Sequence, residues 1–319
     1  MVKSLQEYAD WLDERDIIWP SPPQFVSAKA SPYIKPLDGI RAVVWNVYGT
    51  LLRITDGRLL FDHPDRMRMQ IALDKTIQEF NMWNSMNRKP MDPWEQMYNQ
   101  YRRQLESYEM ADTQKKGDFP EVDASRIWRQ LLGQLGEKDY DYDLEFYGDP
   151  EELSDKVAYF FHANLQGIEA APNALNALAA VSASDCVQGL LSDAQSFTLV
   201  QILRGLREQG TLPPLNKLFS LDCMILSFQE GLRKPSRSLY QSCLAQFAGH
   251  DIAPQELLYI SSRLKDDLAL AKAAGMRTAL YAADKTSLRA TKEEMKNPKM
   301  KPDRLLNDLT QIRDILGIG

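Results

Sequence analysis

The sequence predicts an α/β protein, a doubly wound parallel sheet with a helical cap domain inserted just after its first strand. Two observations carry this expectation. Short apolar runs at 43–47, 186–191, 219–226, 257–260 and 278–281 alternate with helical text and short connections from residue 168 onward, the pattern of a parallel sheet covered by helices. Between the first run and the second lies a polar stretch, 56–167, rich in Met, Trp, Tyr, Arg and Gln and helical in period. A chain of 319 residues, 44% hydrophobic and 26% charged, suits one large domain with an insertion, or two domains.

Taken in order, residues 3–18 read as a short amphipathic helix, with Leu5, Tyr8, Leu12 and Ile17 loosely at helical spacing. Pro20, Pro22 and Pro23 end it, because proline cannot continue the hydrogen-bond ladder. Residues 1–37 are expected to form an arm packed on the core or on a partner subunit. Val43, Val44, Trp45 and Val47 make the near-continuous apolar run of a strand buried on both faces. Gly49 lets the chain turn sharply at its end, and Thr50 offers a hydroxyl there, where open parallel sheets bind ligands. Within the insertion, 65–86 (Met69, Ile71, Leu73, Ile77, Phe80), a segment opened by Asp92-Pro93, 125–135 and 150–165 read as helices.

A helix over 172–181 then leads to a buried strand ending in Ser192-Asp193, and helical text runs to Gln209. A short third strand is expected over 219–226. The loop 231–235 feeds a helix holding Tyr240 and Leu244, and a fourth strand ends in Ser261-Ser262. Asp266-Asp267, an Ala-rich helix to Gly275, a fifth strand, a lysine-rich connection over 284–302 and a closing strand edge and helix complete the chain. The expected division is an arm (1–37), a core (38–55 and 168–319) and a cap (56–167).

Net charge −6 without a basic block excludes a mainly electrostatic nucleic-acid binder. Cys186, Cys223 and Cys243 stand singly and match no zinc spacing, as reduced core thiols of a cytoplasmic protein would. No apolar run approaches a membrane span, and the N-terminus lacks the basic and apolar regions of a secretory signal.

Four separated strand or loop ends each offer a polar group: Asn46, Ser192, Lys234 and the pair Asp266/Asp267. In order, together with Val-Tyr-Gly-Thr-Leu at 47–51, they resemble the four motifs of the haloacid-dehalogenase-like hydrolase superfamily over 38–55 and 168–283. The resemblance implies a Rossmann-like core and a cap over a cleft. It further implies that an Asp at position 46 would attack phosphorus or a halogen-bearing carbon, forming an ester that water cleaves. Ser192 would hydrogen-bond the group transferred, and Lys234 would hold the nucleophile and neutralise developing charge. Asp267, with Asp266 as alternate, would hold magnesium if the chemistry is magnesium-dependent.

Ser261-Ser262 and the positions of Tyr48 and Tyr240 resemble the metal-independent 2-haloacid dehalogenase branch, which would need no cofactor, although Arg263 replaces that branch's Asn. That branch's halide-binding Arg has no aligned counterpart, Arg66 and Arg68 being the candidates. The larger departure is Asn46, a neutral amide and poor nucleophile, whether native or introduced. The expected catalytic set is therefore Asn46, Tyr48, Ser192, Lys234 and Asp267, with Thr50, Asp193, Tyr240 and Arg263 touching substrate. Without a carboxylate at 46, Lys234 is expected to lack its usual partner and to attract an anion. Two functions follow: a hydrolase acting on a small anion or phosphate ester with impaired covalent chemistry, or a non-catalytic ligand- or partner-binding protein on the same fold. Neither needs nucleic acid or membrane, and a homodimer is left open.

Overall fold

The computed structural model describes residues 1–86, 91–111, 113 and 115–318; Gly319 and the few remaining residues of the expected cap lie outside the described residues. Six parallel strands form the central sheet: Ala42–Trp45, Val187–Ser192, Met224–Leu226, Leu257–Ser261, Arg277–Tyr281 and Arg304–Leu306. Numbered in that sequence, their spatial order is 6-5-4-1-2-3. The first strand is central, with Ala42 opposite both Val187 and Leu257, and Trp45 opposite Leu190 and Ile260. Its side chains alternate between two cores. Val43 and Trp45 join Leu190, Leu258 and Ile260 on one face, and Ala42 and Val44 join Leu191, Leu257 and Tyr259 on the other. Double-sided burial explains why the run is apolar without alternation. Gln188, a buried polar residue of the second strand, accepts at Oε1 from Trp45 Nε1 at 2.9 Å.

The insertion is helical, as expected. Arg66–Glu79, Pro93–Glu109, Ala124–Gly136 and Pro150–Leu165 build a separate core around Tyr101, Trp128 and Phe161, whose ring centroids lie 5.2–5.7 Å apart. Asp149 caps the last of these by accepting from the Glu151 and Glu152 amides, while Glu152 reaches back to the Asp149 N–H. Phe197 and Val200, from the helix after the second strand, enter the same core and join the two layers.

The N-terminal helix is shorter than expected, Leu5–Asp13, and buries Tyr8 and Leu12 in the insertion's core. Farther along, the arm runs beside the sheet domain, Tyr33 bridging to Leu305. Arg53, almost fully buried, binds Asp284 at 2.8 Å, Glu169 and the Pro23 carbonyl, so one guanidinium ties arm, insertion base and core.

The third strand is only Met224–Leu226. The apolar residues before it belong to short helical turns, Leu215–Leu218 and Leu221–Cys223, with Phe219 buried between them. Two-residue antiparallel ribbons, unanticipated from the sequence, pair Leu52–Arg53 with Glu169–Ala170 and Phe119–Pro120 with Leu232–Arg233. The second fastens the insertion to the chain immediately before Lys234. Among the described residues no helix is long and apolar enough to cross a membrane.

Candidate active site

The first strand delivers Asn46 to its C-terminal end, where the Asn46 N–H still reaches the Ile260 carbonyl at 2.9 Å. The chain then turns at Gly49, whose φ is +83°. A Cβ there would lie 2.6 Å from Ser262 Oγ and 2.8 Å from Gly57 Cα, so both conformation and close approach require glycine. The turn brings the Tyr48 carbonyl back over Asn46, which donates to it from Nδ2 at 2.7 Å. Asn46 Oδ1 accepts from Lys234 Nζ at 2.8 Å and from Ser192 Oγ at 3.1 Å. An ammonium only donates and a carbonyl only accepts, so these partners fix one orientation of the amide.

Lys234 side-chain exposure is zero, and its three N–H groups meet Asn46 Oδ1, Tyr259 OH at 2.8 Å and Asp267 Oδ2 at 2.9 Å. Three acceptors match the full donor complement of an ammonium. Burial pulls its pKa below the ordinary lysine range, against the charges of Asp267 and Asp193. Burial alone would raise the Asp267 carboxyl. The Lys234 and Arg263 charges and a 2.6 Å bond from Ser261 Oγ outweigh it and leave Asp267 below the ordinary carboxylate range. The expectation that Lys234 lacks a partner is therefore corrected: Asp267 supplies it.

A π-turn at Leu264–Leu268 directs Asp267 inward and leaves Asp266 half exposed, with its carboxylate 3.6 Å from Arg263. Tyr240, expected to touch substrate, braces that turn instead; its hydroxyl lies 3.2 Å from the carbonyls of both Asp266 and Asp267. Thr50 is likewise buried, accepting from the Ser262 N–H at 3.1 Å. Neither residue lines the cleft. Asp193 accepts from the Lys234 N–H at 2.7 Å and pairs with Arg263 at 2.8 Å, so it sets the loop and its neighbour together.

The cleft beside these groups encloses about 460 Å³ between the sheet's C-terminal edge and the insertion. Asn46, Tyr48, Glu121, Asp193, Lys234 and Arg263 contribute to its wall. A larger groove of about 540 Å³ under the N-terminal arm, lined by Trp19, Tyr159 and Arg204, lies away from the strand ends and their convergent polar groups. Tyr48 is held by its hydroxyl, 2.9 Å from Thr198 Oγ1 and 2.6 Å from Gln201 Oε1. Arg66 pairs with Glu95 and lies over the Trp94 ring, and Arg68 faces Asp65, so neither lines the cleft. The cleft's other guanidinium groups are Arg58 and Arg233, which have no ion-pair partner among the described residues. Those two residues and Glu121 escaped the sequence reading. Glu121 follows the short ribbon that joins the insertion to the core and Arg233 belongs to it, and a two-residue pairing leaves no periodic signal.

The residues present do not fit a magnesium ion. Position 46 is an amide and offers no negative charge. Asp267 Oδ1 has no hydrogen-bond partner among the described residues, as a free ligand atom would, but Arg263 Nε stands 3.6 Å from it. That same guanidinium binds Asp193, so a fixed cation occupies the space between the acidic groups. Away from the cleft, Asp222, Cys223 and His250 hold ligand atoms within 4.8 Å of one another, with His250 Nε2 bonded to Asp222 at 2.7 Å.

Comparison with known proteins places this architecture. Residues 231–312 match the HAD-hydrolase-like family model. A 2-haloacid dehalogenase from Pseudomonas syringae pv. Tomato DC3000 is 18% identical, with 87% of this chain and 98% of that one aligned at a TM-score of 0.52. An L-2-haloacid dehalogenase from Xanthobacter autotrophicus is 18% identical, covering 86% and 96% with a TM-score of 0.43. YfnB, a HAD-hydrolase from Bacillus subtilis bound to magnesium, is 14% identical, covering 87% and 98% with a TM-score of 0.44. No curated protein matches the sequence. The fold is that of the haloacid-dehalogenase-like hydrolases, a Rossmann-like parallel sheet carrying a helical insertion. Within it, the segment that presents Lys234 and Asp267 is HAD-hydrolase-like in sequence as well.

Proposed function

We propose that this protein is a haloacid-dehalogenase-like hydrolase scaffold whose cleft takes a small carboxylate-bearing molecule and whose covalent route is closed at Asn46. The insertion, 56–167, acts as its cap. The observation that carries the reading is the Asn46 amide, held by Lys234, Ser192 and the Tyr48 carbonyl where a nucleophilic carboxylate would stand. An amide oxygen carries no charge to attack carbon or phosphorus and forms no ordinary ester intermediate.

The surrounding groups would serve a carboxylate at that position. Lys234 would hold it within hydrogen-bond distance, Asp267 would keep Lys234 in place, and Ser192 would fix its second bond. With Arg263 between Asp193 and Asp267, chemistry of the 2-haloacid type, which needs no metal, fits better than phosphate transfer. The neighbouring 2-haloacid dehalogenase of shared fold supports the same preference. A second reading, a ligand-binding protein without turnover, is favoured by the complete pairing of Asn46: both polar atoms of its amide are satisfied inside the protein.

The test is a panel of 2-haloacids and phosphomonoesters offered to this protein and to Asn46→Asp, with and without magnesium. The hydrolase reading expects Asn46→Asp to turn over 2-haloacids without metal. If neither protein turns over any compound, yet small carboxylates raise the melting temperature, the binding-protein reading stands.

A further inference from the structure

Glu121 is an acidic group of the cleft wall that the chemistry above does not use. It follows directly on the ribbon Phe119–Pro120, and its N–H donates to the Gly231 carbonyl at 3.0 Å. That pairing fixes its backbone against the stretch leading into Lys234. The residue is 7% exposed although it lines the cleft. Oε1 accepts from the Val122 N–H at 2.7 Å, whereas Oε2 is buried and has no hydrogen-bond partner among the described residues. A buried carboxylate oxygen left without a donor is strongly disfavoured, and a buried carboxyl proton left without an acceptor is disfavoured too. The nearby Ser227 hydroxyl draws on this carboxyl but is itself bonded to the Ala194 carbonyl and N–H, so no described residue holds Oε2 at hydrogen-bond distance and that partner is left to the molecule in the cleft.

We propose that Glu121 meets that molecule as a neutral carboxyl, donating a hydrogen bond from Oε2 to the ligand's carboxylate beside the Arg233 guanidinium. The inference rests on the reading that the cleft takes a small carboxylate, and it names the residue that recognises it. Burial, reinforced by the Asp193 charge, pushes the Glu121 carboxyl up to about 8, against the pull of Ser227, the Val122 N–H and Arg233. The groups that face it are accounted for. Asp193 is paired with Arg263, Lys234 with Asp267, and Tyr48 with Thr198 and Gln201. Arg233, and Arg58 and Asp62 elsewhere on the cleft wall, are the remaining charges. Two guanidinium groups without an ion-pair partner among the described residues, and a neutral donor, suit one carboxylate better than a cation or an uncharged molecule. The lone oxygen of Glu121 supplies one donor only, so it selects for an acceptor at one defined point of the ligand.

The probe is lactate, a carboxylate with no halogen to lose, titrated calorimetrically between pH 6 and 9 at ionic strength held constant with chloride. The wild-type affinity should be level to about pH 7 and roughly tenfold weaker at pH 9, because only the protonated fraction of Glu121 binds. Glu121→Gln keeps a donor that cannot ionise, so its affinity should stay near the neutral-pH value across the range. Glu121→Ala should bind weakly at every pH. The same loss at pH 9 in Glu121→Gln, or no loss in the wild type, overturns the assignment of Glu121 while leaving the carboxylate cleft standing. Absence of lactate binding to the wild type at any pH overturns the carboxylate cleft and this inference with it. Circular dichroism of each variant separates lost recognition from lost folding.

Discussion

Replacing Lys234 by Met removes the cation but retains much of the apolar stem, which isolates the electrostatic role. Lys234 and Asp267 have no exposed side-chain surface and lie 2.9 Å apart. Breaking a buried pair leaves an uncompensated charge at a cost of about 3–5 kcal/mol. Arg263, 3.6 Å from the other carboxylate oxygen, offsets part of that loss, so the lower end, about 3 kcal/mol, is expected. At roughly 2–4 °C per kcal/mol, the melting temperature should fall by about 6–12 °C at pH 7. The pH dependence follows from Asp267, whose folded pKa is depressed below the ordinary value of 3.8. Its contribution is present above that value and is lost as pH falls through the lower folded one. Without Lys234, burial raises the Asp267 carboxyl and protonation relieves the strain, so the gap to wild type should narrow between pH 7 and pH 5. Asp267→Asn in the Lys234→Met background should recover about 1–3 kcal/mol by thermal unfolding. A Lys234→Met protein that melts with wild type would refute the reasoning, as would a double variant without recovery.

Magnesium chloride at millimolar concentration should leave the wild-type melting temperature unchanged relative to matched sodium chloride, whereas Arg263→Gln, which frees Asp193 and Asp267, should gain a magnesium-dependent shift. A wild-type shift lost in Asp267→Asn would place a metal where Arg263 is argued to stand. Glu121, with a folded value near 8 against an ordinary 4.5, contributes stability that is full below pH 4.5 and lost as pH rises through 8. Glu121→Gln should therefore lose less stability than wild type between pH 5 and pH 9 in denaturant titrations. Tyr240→Phe removes the hydroxyl from the Asp266 and Asp267 carbonyls and should cost about 1 kcal/mol while lactate affinity holds. A collapse of affinity would return Tyr240 to the ligand's own contacts.

Much of the fold is legible because burial dictates composition. The first strand is apolar on both faces since both faces are packed, and Ser192, Lys234 and Asp267 sit where parallel strands and their loops end. The insertion's helices carry their own start signals, Pro150 and the Asp149–Glu152 box among them. What sequence does not display is decided by through-space partners. Tyr240 and Thr50 look like cleft residues on the strength of motif position, yet each hydroxyl finds a backbone group first. Arg263 reads as a substitution in a motif, but its geometry makes it the cation shared by Asp193, Asp266 and Asp267. Glu121 gains its character only because a two-residue ribbon folds the insertion onto the approach to Lys234, a pairing too short to leave a pattern.

The central claim is that position 46 alone closes the covalent route. Asn46→Asp should be destabilised, because a carboxylate oxygen would stand where Nδ2 now donates to the Tyr48 carbonyl at 2.7 Å. It lies within reach of Lys234 all the same. Regaining a nucleophile whose supporting groups remain is worth on the order of a thousandfold or more in rate. The direct measurement is intact-protein mass after rapid acid quench during exposure to 2-chloropropionate, followed by peptide mapping. The account predicts an ester on residue 46 in Asn46→Asp, and turnover with it, while the wild-type chain keeps its unmodified mass and shows neither adduct nor deamidation. Turnover by the wild-type protein at a rate close to that of Asn46→Asp, with Asn46 intact in the mass spectrum, would contradict it.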